Sequence, residues 1–124
     1  MVVVAVALGC AAGCTPAGEQ AARQTAEQFQ AAVRSQDAAT ACRLLSDEAR
    51  SSLESASTRP CPEALAALEL PTGRVGADEV WGRNAQIVLD SGVLFLADFR
   101  AGWRVTAAGC APRPDQPYDC QVEG

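Results

Sequence analysis

The sequence predicts an α+β fold, N-terminal helices packed on a curved antiparallel sheet that closes towards a cone. Three observations carry this. Apolar residues recur at helical spacing through the first half, the period changes to short apolar and alternating runs in the second, and short turns at Ser91–Gly92 and Arg100–Gly102 separate those runs. The 124 residues suit a single folded unit with a modest core. The expected organisation is a signal segment over 1–13, a tether over 14–21 and one α+β domain over 22–124.

In the first half, Ala22, Ala26, Phe29 and Val33 fall at steps of four, three and four, an amphipathic helix running from Ala17 to Val33. Asp37 is placed to cap a second helix that ends near Leu45. Ser46, followed by Asp47 and Glu48, puts a cap and two anions at the start of a third, whose apolar anchor is Leu53. In "RPCPEALAALELP" Pro62 suits a first helical turn, Leu65 and Leu68 share a face, and Pro71 marks the stop of a fourth.

The second half reads as strands. "AQIVLD" and "VLFLADF" flank Ser91 and Gly92 as a hairpin does, and Arg100 to Gly102 form a second turn into "WRVTAA". In that last run Trp103, Val105 and Ala107 are expected on one face and Arg104, Thr106 and Ala108 on the other. "EVWG" over Glu79 to Gly82 predicts an earlier strand, and Tyr118 to Val122 a short last segment.

Composition narrows function. Histidine and lysine are both absent, so all ten basic residues are arginines, dispersed from Arg23 to Arg113; codon bias in a GC-rich genome accounts for that as well as any arginine code. A net charge of −5 and the lack of a basic stripe exclude a nucleic-acid face. Without histidine, the commonest general base near neutral pH and the commonest metal ligand are missing.

The opening "VVVAVAL" is too short for a membrane-spanning helix, which takes roughly 20 residues. It matches the apolar part of an export signal, although no basic residue precedes it, so either the translation start is expected upstream or the chain is trimmed at its start. A buried first strand is the competing reading, and the small-residue run that follows speaks against it. "ALGC" and "AAGC" resemble the lipobox of bacterial lipoproteins, in which the cysteine receives a diacylglycerol. Both carry Ala where Leu is usual. Cys14, after Ala11, Ala12 and Gly13 and before the polar tether "TPAGEQAA", is preferred over Cys10. Acylation there leaves Cys42, Cys61, Cys110 and Cys120, an even set, whereas acylation at Cys10 leaves an odd thiol. A diacyl group anchors stably where one chain does not. The implied address is the outer face of the cytoplasmic membrane.

The element order, with "ACRLLSDEARSSLE", "CPEALAAL" and "GWRVTAAGCAPRPDQPYDC", resembles the nuclear transport factor two-like (SnoaL-like) superfamily, and within it a group of actinobacterial lipoproteins of unassigned role. That resemblance covers Gln20 to Val122 and implies a cystatin/SnoaL-like cone. Its relatives include isomerases, cyclases and plain binding modules, so it fixes no activity. For the four thiols the sequence-nearest pairing is expected, Cys42 with Cys61 and Cys110 with Cys120, the second closing "APRPDQPYD", whose prolines argue against strand. No closely spaced thiol pair exists to hold a metal, and no cofactor is expected.

Trp81, Phe95, Phe99 and Trp103 are candidates for the mouth of an apolar pocket, with packing of the helix-facing layer as the plainer account. Asp98 is the candidate acid in such a pocket, or else a solvent-facing residue on the strand face opposite Phe95, Ala97 and Phe99. Tyr118, the single tyrosine, is its alternative. The functional expectation is a non-catalytic, lipid-anchored envelope protein that binds a partner protein or a small apolar ligand. The alternatives are a small isomerase or hydrolase-like enzyme using Asp98 or Tyr118, and a structural module of a membrane complex.

Overall fold

A computed structural model describes residues 17–124 of the protein. The signal segment and both lipobox cysteines, Cys10 and Cys14, lie outside the described residues. The fold is α+β, with four helices preceding a five-stranded antiparallel sheet. The helices are α1 (Ala17–Arg34), α2 (Ala38–Leu44), α3 (Asp47–Ser57) and α4 (Cys61–Leu68). Residues 17–21 of the expected tether are thus the first turn of α1 and extend nothing.

Local chemistry sets the helix ends. The Asp37 carboxylate accepts from the Thr40 amide at 3.2 Å at the start of α2, and the Ser46 hydroxyl accepts from the Ala49 amide at 3.1 Å at the start of α3. Ser46 is itself buried, and its own amide donates to the Val105 carbonyl at 2.8 Å, so the α2–α3 connection is pinned to the middle of the sheet. Ser46→Ala is expected to lower unfolding free energy by about 1–2 kcal/mol, because it orphans a buried helix-start amide; a fall in the urea midpoint at unchanged slope checks this.

The strands are β1 (Val75–Trp81), β2 (Asn84–Leu89), β3 (Gly92–Phe99), β4 (Gly102–Arg113) and β5 (Gln116–Glu123), hydrogen-bonded in chain order as a meander. Gly92 is obligatory at its turn. Its φ is 150°, and a Cβ there would stand 2.8 Å from the Cys110 carbonyl oxygen.

Helices cover one sheet face. Phe29, Ile87, Leu94, Leu96 and Val105 are fully enclosed between the layers, with Val122 closing the β5 side. The faces of β3 are the reverse of the helix-facing aromatic layer that the sequence predicts. Leu94 and Leu96 point to the helices through their register with Ile87 and Ala85, which leaves Phe95 and Phe99 on the uncovered face. "VLFLADF" is apolar on both faces, so period alone does not orient it. Register shifts between β3 and β4 further exchange two small residues: Ala108 joins the main core and Ala107 packs with Val93 and Cys110 on the other face.

The expected proline loop is instead strand. Arg113 pairs with Gln116 and Ala111 with Asp119 around a two-residue turn. The prolines are tolerated because β3 reaches only as far as Cys110, so β4 beyond it lacks a neighbour on that side, and Pro117 lies on β5, an edge strand. Two disulfides are present, Cys42–Cys61 between α2 and α4 and Cys110–Cys120 across the β4–β5 register pair.

Candidate functional site

The residues expected to share a pocket are divided by the sheet. Trp103 is buried in the helix-covered core, whereas Trp81 and Phe99 are 47% and 46% exposed on the uncovered face. Phe95 lies on that same face, edge-on to Tyr118 with ring centroids 5.2 Å apart, and Gln86 Nε2 donates to the Tyr118 hydroxyl at 3.3 Å. Asp98 pairs in register with Trp103 and alternates with Leu94 and Leu96, so it is a half-buried residue on the helix side rather than a solvent-facing one. Asp98 and Tyr118 therefore face opposite sides of the sheet. Beside Phe29 and Gln30, next to the β2–β3 turn, a small partly open cleft of about 10 Å³ has room for one water at most.

The concavity with room for a ligand lies outside the sheet. An open groove of about 670 Å³ runs between the C-terminal end of α1, the start of α2 and the end of α4. Val33, Ala41, Leu65 and Leu70 give it an apolar floor, with Arg34, Gln36 and Glu69 at the rim. Gln36 and Glu69 carry positive φ, 60° and 50°, without being glycine, and these left-handed residues make the reversals that end α1 and α4. The Cys42–Cys61 bridge ties α2 to α4 and so joins two of the groove's walls. Sequence reasoning did not find this groove. The alanines and leucines of its lining belong to ordinary helical stripes, and they are brought together only in the assembled fold.

Charge gathers where α1 meets β1. Arg23 donates to the Gly76 carbonyl at 2.7 Å and the Val75 carbonyl at 3.2 Å, and it pairs with Glu27 at 3.4 Å and Asp78 at 3.8 Å. The nearby Asp78 charge pushes the Glu19 carboxyl above its ordinary value, burial and a hydrogen bond to Asp78 adding to it and Arg23 opposing. Protonated Glu19 thus favours the folded chain, a contribution lost as pH rises through its folded pKa. Asp37 behaves oppositely. The Thr40 hydroxyl, at 2.6 Å, and then the Thr40 amide hold it below the usual carboxylate range, so its contribution is lost as pH falls. Among the described residues no three His, Cys, Asp or Glu side chains are grouped to hold a metal, and no helix is long and apolar enough to cross a membrane.

Compared with known proteins, the chain matches no family model, no curated protein and no solved structure.

Proposed function

We propose that this chain is an exported, lipid-anchored envelope protein that binds a small, largely apolar ligand in the groove between α1, α2 and α4. The groove carries the reading. Its volume of about 670 Å³ lies within the range of roughly 300–1,000 Å³ typical of ligand sites, its floor is apolar, and a disulfide joins two of its walls. Two disulfides fit an oxidising compartment outside the cytoplasm. The lipobox-like "AAGC" supplies the anchor at Cys14, and helices preceding an antiparallel meander are the order that the nuclear transport factor two-like resemblance implies. This binding place differs from the aromatic pocket mouth that the sequence suggests, because Phe29, Ile87, Leu94, Leu96 and Val105 are packed fully buried on the helix side and the sheet divides the aromatic candidates. An enzyme using Asp98 or Tyr118 is the weaker reading, since Asp98 lies across the sheet from Trp81, Phe95 and Phe99, and Tyr118 is packed edge-on to Phe95 with its hydroxyl taken by Gln86.

Ala66 lines the groove, is exposed and belongs to α4, so Ala66→Trp fills the space without disturbing the core. With 1-anilinonaphthalene-8-sulfonate as probe, the unaltered chain is expected to bind with enhanced fluorescence and Ala66→Trp to bind about tenfold more weakly or worse, at an unchanged melting temperature. Equal binding by both would remove the groove from the account.

A further inference from the structure

We infer that the end of the domain carrying the β1–β2 and β3–β4 hairpins lies against an anionic membrane surface, with Trp81 and Phe99 in the headgroup layer and Arg83, Arg100 and Arg104 meeting lipid phosphates. This rests on the lipid-anchored reading above and adds to it an orientation and a lipid class.

Because the meander runs in chain order, the β1–β2 and β3–β4 turns share one end of the sheet and the β2–β3 turn lies at the other. The register row Trp81, Asn84, Ala97 and Arg104 crosses the uncovered face at that end, and Phe99 lies two residues beyond it. Trp81 and Phe99 are two of the three large apolar residues that the described chain leaves most exposed. Three of its ten arginines gather around them in a protein of net charge −5. Over residues 81–84 and 97–104 the one carboxylate is Asp98, which alternates with Leu94 and Leu96 on the helix side; Glu79 follows two residues behind Trp81. Arg104 gives one hydrogen bond, to the Trp103 carbonyl at 2.8 Å, and the ion pairs among the described residues engage Arg23 and Arg50 instead. Exposed aromatic residues next to arginine are the composition that membrane interfaces favour.

The course of α1 brings the anchor to this same end. A methyl group on Gly18 would lie 3.7 Å from the Trp103 indole, Glu19 stands by Asp78, and twelve residues further along Gln30 Oε1 accepts from the Gly73 amide at 3.0 Å. The helix therefore starts beside the arginine-bearing hairpins and runs away from them. Cys14 precedes Ala17 by three residues, a reach of at most about 11 Å. A diacyl group on Cys14 holds the chain at the membrane, and the hairpin end, next to that attachment point, decides which surface faces the lipid.

The test uses the full chain with Cys10→Ser and Cys14→Ser, which carries no lipid of its own. Vesicles of phosphatidylcholine, alone or mixed equally with phosphatidylglycerol, are added while tryptophan emission and its quenching by brominated lipid are followed. Trp81 is expected to shift to the blue and to be quenched with the anionic vesicles. That response should vanish in Trp81→Phe and need about a hundredfold more lipid in the triple variant Arg83→Gln, Arg100→Gln, Arg104→Gln. No Trp81 response to anionic vesicles, or one unchanged in the triple variant, overturns the proposal. Acylation is read separately by mass. An acylated Cys14 with a silent Trp81 removes this orientation and keeps the anchor, and a responsive Trp81 in a chain never acylated in its host keeps the surface and removes the anchor.

Discussion

Phe29→Ala is expected to destabilise the protein by about 3–5 kcal/mol, a large part of the roughly 5–15 kcal/mol that holds a domain of this size. Phe29 is fully buried in the middle of α1, and its ring fills the space between that helix and the sheet next to Leu94 and Ala108. It is the one phenylalanine of the helix-covered core, where Trp103 is the other aromatic residue and the rest are aliphatic side chains and cysteines. Urea unfolding followed by far-ultraviolet circular dichroism checks the figure. The cavity left behind is expected to admit benzene or xenon, which should raise the variant's melting temperature and leave the unaltered protein unmoved. A loss under about 1 kcal/mol would mean that the interior is not packed as described.

Replacing both Cys42 and Cys61 by alanine is expected to cost about 3 kcal/mol. The bridge closes a loop of sequence separation 19, and its removal gives that restriction back to the unfolded chain. Both cysteines are buried, which adds a packing loss. The effect should reach further than stability, because the bridge holds together α2 and α4, two of the helices that wall the groove: the double variant should lose affinity for 1-anilinonaphthalene-8-sulfonate even at low temperature, where it remains folded. Removing Cys110 and Cys120 as a pair serves as the control. That bridge links adjacent paired strands at a separation of 10, so its loss is expected to lower stability somewhat less and leave probe binding unchanged.

Helix ends were legible in the sequence because their chemistry is local. Asp37 and Ser46 satisfy amides three residues on, and such spacing needs no knowledge of the rest of the fold. The change of period and the turns at Ser91–Gly92 and Arg100–Gly102 likewise revealed the meander. The orientation of β3 was not legible, since both its faces are apolar and only pairing with Ile87 and Ala85 turns Leu94 and Leu96 inward. That one reversal places Phe95 and Phe99 on the uncovered face and Asp98 towards the helices, while Trp81 reaches the uncovered face through its own pairing with Asn84. The β4–β5 ribbon was hidden by its prolines, whose tolerance depends on an edge and an overhang, both features of the assembled sheet. The groove left no trace at all, because its lining combines residues of α1, α2, α4 and the segment after α4 that only the assembled fold brings together.

The central claim is that this is a disulfide-stapled domain held at the outside of a membrane by its amino terminus. Intact mass, with and without alkylation, of the protein extracted from membranes of its own host, together with mapping of the amino-terminal peptide, tests it most directly. The account predicts a chain that begins at a diacylated Cys14 and takes up no alkylating agent until it is reduced, when four thiols react. A chain still carrying residues 1–13, unacylated at Cys14 and alkylated at all six cysteines without reduction, would contradict both the address and the staples.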